Sequence, residues 1–259
     1  MIAGAVDAVL AAHNIRRRYG ELLVLDGISL ELGRREVVSV LGPSGCGKST
    51  LLHILAGLDR PEEGAVYLEG RDITGHAGAV SYQQQKDLLL PWLTIVDNVG
   101  LALELSGTKR RRARDVAEES LEEFGLAGFG RHYPHQLSGG MRQRAALLRT
   151  HLYSRSVMLL DEPFGALDTI TRGMMHDWLL DLLRRIETSV LLVTHDVEEA
   201  ILLADRVIVL SPAPSRIVES VDIAIPRPRD GETVLSEEFR RYKANLVHAL
   251  SPNLHGGGQ

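Results

Sequence analysis

Nine consecutive residues, Gly42-Pro43-Ser44-Gly45-Cys46-Gly47-Lys48-Ser49-Thr50, have the types and spacing to hold a phosphate. They fit G-x-x-x-x-G-K-[ST], directly after an apolar strand-like run and before a helical run over residues 51–58. Glycines let the backbone curl so that successive N–H groups point inward at phosphate oxygens, and the helix adds the positive end of its dipole. In such a loop Lys48 reaches the β- and γ-phosphates and the Ser49 hydroxyl ligates Mg²⁺. Cys46 lies beside Lys48 and near a helix N-terminus, so a depressed thiol pKa and ready alkylation are expected of it. A second constellation follows the apolar run Val157-Met-Leu-Leu160, where Asp161 and Glu162 are adjacent. An acid ending a buried strand can serve Mg²⁺, which is the role given to Asp161, and the next acid, Glu162, can orient or deprotonate a water.

Such groups must be positioned by strands that end where the chemistry occurs. Residues 36–41, 156–160, 189–193 and 207–210 read as short buried strands alternating with helical patterns, which predicts a parallel sheet in an α/β fold. The first three end in polar residues, as a doubly wound sheet requires of its active site. Between about residues 87 and 154 no strand-like run occurs and helix formers dominate, so a helical subdomain is expected there. The expected division is an ATP-binding core over 8–86 and 156–225, a helical insert over 87–155 and a tail over 226–259, polar and ending in a glycine-rich disordered stretch at 256–259.

The chain has 259 residues, 44% hydrophobic and 24% charged, with a formal net charge of -5 and one cysteine. That balance suits a globular domain, argues against a nucleic-acid partner and forbids an internal disulfide. No apolar run reaches the roughly 18 to 20 residues of a membrane span. Residues 2–12 read as the start of the first strand rather than a secretory signal, because the basic cluster Arg16 to Arg18 follows the apolar run. A cytoplasmic protein is expected, with any membrane role exercised through a partner. The basic run Lys109-Arg-Arg-Arg-Ala-Arg114 is read as a solvated helix start, with Asp115, Glu118 and Glu119 as partners.

The segment Leu137-Ser-Gly-Gly-Met-Arg-Gln143 resembles the signature motif of ABC ATPases. Gln85, Asp161-Glu162, Ala166-Leu167-Asp168 and His195 follow the order and spacing of that family, over about residues 19–211. The resemblance implies a phosphate-loop NTPase (RecA-like) core with an N-terminal antiparallel β-rich part and an inserted α-helical subdomain. It also implies a homodimer that sandwiches two ATP molecules with Mg²⁺, each held by one subunit's loop and the other's signature. Ser138, Gly139 and Gly140 suit that role, offering a small hydroxyl and unhindered N–H groups at a helix start; Ser138 also reads as that helix's N-cap. By the same likeness His195 contacts the γ-phosphate, Asp168 is the acid that crosses the dimer, and Tyr19 stacks on adenine. Gln85, selected from Gln83, Gln84 and Gln85 because it lies seven residues before Trp92, touches Mg²⁺ and the attacking water. The family usually has an aromatic residue where Gln84 stands.

Further phrases, among them Leu89-Leu-Pro-Trp-Leu-Thr94, Asp161-Glu-Pro-Phe-Gly-Ala-Leu-Asp168, His195-Asp-Val-Glu-Glu-Ala200 and Pro226-Arg-Pro-Arg229, resemble the nitrate, sulfonate and taurine importer ATPases. Residues 133–150 are similar to importers of thiamine pyrimidine precursors. The expected function is therefore ATP hydrolysis that drives a separate membrane permease, peripheral on the inner face of the plasma membrane and served indirectly by a substrate-binding protein. A soluble ABC ATPase of repair or translation and a phosphate-loop kinase are the alternatives. The first usually carries coiled-coil insertions or paired domains, and the signature motif opposes the second.

Overall fold

Two sheets and two apolar cores build the fold. The computed structural model describes residues 8–153, 156–165 and 167–251. Residues 2–7 of the expected first strand, Ala166, the end of the helical insert at 154–155 and the glycine-rich tail at 256–259 lie outside them. Strands β1 (Ala8–Tyr19), β2 (Leu22–Gly33), β4 (Glu63–Leu68) and β5 (Arg71–Asp72) form an antiparallel sheet in the order β2-β1-β4-β5. A second sheet runs β10-β9-β3-β8-β7-β6, built from β3 (Val37–Leu41), β6 (Ser81–Gln83), β7 (Val157–Asp161), β8 (Ser189–Thr194), β9 (Arg206–Leu210) and β10 (Ile217–Asp222). All its pairings are parallel except that of β10 with β9.

Every residue of β3, β7 and β8 is buried, which is why these strands read as unbroken apolar runs. Their side chains alternate between two cores. On β3, Val38 and Val40 join the core shared with α1 (Lys48–Leu55) and the antiparallel sheet. Val37 and Leu41 join the core formed with α4 (Gly139–Leu152), α5 (Thr169–Arg185) and α6 (Val197–Leu203).

Residues 87–153 contain α2 (Ile95–Leu105), α3 (Arg110–Ser120) and α4, and no strand among the described residues. Thr94 caps α2 through Asp97, whose carboxylate also receives Arg114 at 3.0 Å and Arg110 at 3.3 Å. The basic run is thus partly neutralised by an acid on the neighbouring helix, beyond the Arg112–Glu119 pair at 3.8 Å. The tail is more than polar, since α7 (Glu237–Leu250) buries Phe239 and Leu246 against the core. Polarity concealed it because only one narrow face of α7 is apolar.

Candidate active site

The adjacent ends of β3, β7 and β8 bring the phosphate loop, the two acids and His195 together. Leu41 pairs with Thr194 and Asp161 with Val193 across the parallel ladder. The loop leaves β3 at Gly42 and enters α1 through Gly47, whose φ of 99° is in the left-handed region; Gly45 has φ 78°. A Cβ on Gly47 would stand 2.7 Å from Val24 Cγ1, so glycine is required there on two counts. Ser44, Gly45 and Ser49 are exposed, while Pro43 and Thr50 are half-buried. Lys48 is buried and its ammonium donates to the carbonyls of Gly42 at 2.9 Å and Pro43 at 3.0 Å, which holds the charge across the loop.

Cys46 differs from expectation. Its side chain is 1% exposed and belongs to the core beneath the loop, packed so that a Cβ on Gly42 would meet its sulfur at 2.8 Å. Burial pushes the thiol pKa up, and this outweighs the lowering effect of Lys48. The residue shapes the loop from within and offers no reactive thiolate.

The Ser49 hydroxyl donates to Asp161 Oδ1 at 3.2 Å, which joins two of the three expected Mg²⁺ ligands. Asp161 is 5% exposed, and burial first, then the neighbouring Glu162 charge, raises its proton affinity. A hydroxyl beside a carboxylate is the hard oxygen set that Mg²⁺ prefers, with few protein ligands and the rest from phosphate and water. Among the described residues no cluster of three or more His, Cys, Asp or Glu could hold a metal. Tyr82 on β6 completes this corner by donating to Asp161 Oδ2 at 3.3 Å. Nothing in the sequence singled out Tyr82, because its strand has three residues and its partner lies 79 positions away.

Glu162 has φ 42°, an uncommon left-handed conformation for a residue with a side chain. Its N–H donates to Val193 O at 3.0 Å. The carboxylate Oε2 accepts from Gln85 Nε2 at 3.2 Å and lies 3.2 Å from His195 Nδ1. With Nδ1 facing that carboxylate, Nε2 is the ring nitrogen of His195 left for an incoming group. Gln85 alone of the three consecutive glutamines makes this contact: Gln83 is buried within β6, and Gln84 lines a separate groove.

Tyr19 is 45% exposed, its hydroxyl donating to Asp59 at 2.8 Å. The Arg17 guanidinium lies 4.6 Å from its ring centroid, so one ring face is already covered by a cation. Asp168 caps α5, accepting from the Thr171 hydroxyl at 2.6 Å and from Thr171 N at 3.0 Å, and these bonds, the hydroxyl's first, hold its carboxyl below the usual range.

The signature glycines contact α5 and the segment that leads into it. Ser138 caps α4 by accepting from Met141 N at 3.3 Å. A Cβ on Gly140 would meet Thr171 Cγ2 on α5 at 3.1 Å, and one on Gly139 would meet Leu167 at 3.4 Å. No hydrogen bond joins residues 138–140 to residues 42–50 among the described residues.

A groove of about 400 Å³ is formed by β6, α2, α4 and the segment that follows α1. Leu58 and Leu105, 55% and 78% exposed, form part of its lining with Tyr82, Gln84 and Tyr153. Trp92, in the segment between Gln85 and α2, is 70% exposed. Among the described residues no helix is long and apolar enough to cross a membrane.

Comparison with known proteins gives a consistent result. The family described as ABC transporter matches residues 25–165. An aliphatic sulfonates import ATP-binding protein, SsuB 2, of Burkholderia cenocepacia is 45% identical over 228 residues, covering 88% of this chain and 83% of the relative. An uncharacterised ABC transporter ATP-binding protein of Methanocaldococcus jannaschii is 43% identical over 226 residues, covering 87% of this chain and 84% of that one. A solved dimeric ATP-binding cassette in a post-hydrolysis state, bound to ADP and Pi, has TM-score 0.71 and 30% identity, covering 83% of this chain and 98% of the other.

Proposed function

The chain belongs to the ABC transporter family as an ATP-binding subunit, and we propose that it hydrolyses MgATP in a homodimer to energise a separate permease that imports a small solute. The observation that carries this reading is the single carboxylate oxygen of Glu162 shared by Gln85 and His195, beside the Ser49–Asp161 pair.

Backbone N–H groups of residues 44–50 and the Lys48 ammonium bind the β- and γ-phosphates, with the α1 N-terminus behind them. Ser49 and Asp161, with Gln85 nearby, would hold Mg²⁺, which supplies a counter-charge for those phosphates when bound. Glu162 orients the attacking water and takes its proton, and Gln85 keeps that carboxylate directed at the site. His195 presents Nε2 to the transferring phosphoryl. Tyr19 offers its uncovered ring face to adenine.

Gly139 and Gly140 pack against Leu167 and α5, and Ser138 is exposed at the start of α4; on this reading a second copy brings its own Ser138, Gly139 and Gly140 over this chain's nucleotide. The likeness to a dimeric cassette supports that arrangement. Asp168, exposed at the start of α5, then stands at the junction. The groove beside Gln84 and the exposed Trp92 suit an apolar element of the permease, since exposed aromatic and leucine side chains serve as interface anchors. The sulfonate-import relative supports the importer branch; that reading would carry with it a peripheral location on the membrane's inner face and an indirect link to a substrate-binding protein.

Glu162→Gln tests the reading. Turnover should fall by about 10² to 10⁴-fold, the range for a general base. Nucleotide affinity should remain, and ATP should accumulate a dimer on size-exclusion chromatography. Turnover at the wild-type rate would refute it.

A further inference from the structure

Behind His195 lies a buried polar cluster that the hydrolytic chemistry does not use. Thr194, the last residue of β8, and Glu199, in the first turns of α6, are 1% and 4% exposed. The Thr194 hydroxyl donates to Glu199 Oε2 at 2.5 Å and accepts from the Asp196 N–H at 3.0 Å. One hydroxyl therefore ties together both sides of His195. The ring of His195 is half exposed, so this turn aims it.

The rest of the cluster holds α6 rigid. Asp196 Oδ1 caps the N–H groups of Glu198 at 2.8 Å and Glu199 at 3.2 Å. At the other end, the buried Arg229 guanidinium donates to the carbonyls of Ile201 at 2.8 Å and Ala204 at 2.5 Å. Lys243 on α7 pairs with Glu198 at 2.6 Å. Glu199 is thus a fixed reference against which the turn is set.

We propose that Thr194 and Glu199 form a buried latch that positions His195 for hydrolysis, and that the Glu199 carboxyl works in its neutral form. Burial, the largest cause, pushes the Glu199 carboxyl up to about 7. Among the described residues the second oxygen, Oε1, has no hydrogen-bond partner and faces His176 Nε2 at 3.9 Å, which has none there either. Burial drives His176 toward its neutral form as well, so this is not an ion pair. The other charges around Glu199 are mixed: Arg172 on α5 lowers its proton affinity, whereas Asp196 and, from the end of β7, Glu162 raise it. Asp177 on α5 and Glu198 on α6 act on His176 from the same surroundings. A neutral carboxyl keeps a third negative charge away from Asp196 and Glu162, the acid on which the His195 ring rests.

The latch rests on the hydrolytic reading above, which Glu162→Gln tests by itself; ratios among latch variants test this one. Thr194→Val and Glu199→Leu should each lower kcat by about tenfold or more, with the KM for MgATP within about threefold. The double variant should be no worse than the weaker single, since both remove the same bond. Thr194→Ser should restore turnover. Glu199→Gln, an isostere of the neutral carboxyl, should keep turnover and hold it level from about pH 6 to about pH 8.5, where the wild type declines through about 7. The latch is overturned if the apolar variants turn over normally, if their losses match the unfolded fraction seen by circular dichroism, or if the two losses add. Should the apolar variants fold poorly, the shape-preserving pair decides alone. A tenfold loss in Thr194→Ser or Glu199→Gln, or a pH profile in Glu199→Gln identical to wild type, also overturns it.

Discussion

Replacing Glu199 with glutamine should make the protein more stable, and increasingly so as pH rises. Burial lifts the carboxyl from an ordinary 4.5 to about 7. The folded state therefore binds this proton more tightly than the unfolded chain does. Its contribution to stability is fully present below about pH 4.5 and is lost as pH rises through about 7. The rise from 4.5 to about 7, at about 1.4 kcal/mol for each tenfold change in proton affinity, corresponds to roughly 3 to 4 kcal/mol across that window. Glutamine has no proton to lose, and its carbonyl still accepts from the Thr194 hydroxyl. In a chain of this size 1 kcal/mol moves Tm by about 2 to 4 °C. The Tm of Glu199→Gln minus that of wild type should thus climb by roughly 5 to 10 °C between about pH 5 and about pH 8. Taking the difference cancels every other titrating group. Scanning fluorimetry of both proteins across a pH series, without nucleotide, reads it directly. A difference independent of pH would refute the assignment of Glu199 as a buried acid with raised proton affinity.

Other perturbations separate the parts of the site. Lys48→Ala and Ser138→Arg subunits should each be inactive alone, yet a mixture should recover part of the activity, because a mixed dimer contains one intact loop facing one intact signature; no recovery in demonstrated mixed dimers would exclude a shared site. Trp92→Ala should leave the melting temperature of the isolated subunit within about 1 °C, as expected for an exposed side chain, while transport by the assembled complex falls severalfold. A large loss of stability would instead mean that Trp92 supports the fold. Cys46 should resist maleimide in the native protein at neutral pH and label only on unfolding, because its thiol is buried and its pKa raised. Stoichiometric labelling of the folded protein would contradict the packing under Gly42.

Local chemistry was legible in the chain wherever it depends on neighbours in sequence. The loop 42–50 declares itself because glycine spacing, the preceding apolar run and the following helix lie within a few residues of one another. The same holds for the buried strands β3, β7 and β8, whose two-sided burial demands continuous apolar residues. Ser138 and Asp168 cap their helices as short polar residues before a helix do. What a side chain faces across the sheet was not legible. Cys46 sits where local charge would activate a thiol, yet its sulfur turns into the core, and only packing against Gly42 and the sheet decides that. Tyr82 reaches Asp161, Asp97 collects Arg110 and Arg114, and Glu199 receives Thr194, each through a contact between different elements. Side-chain direction and burial are properties of the assembled layers. The sequence by itself therefore determined which groups could bind and cleave a phosphate; the tertiary structure decided which of them are exposed, which are neutralised and which carboxylate they share.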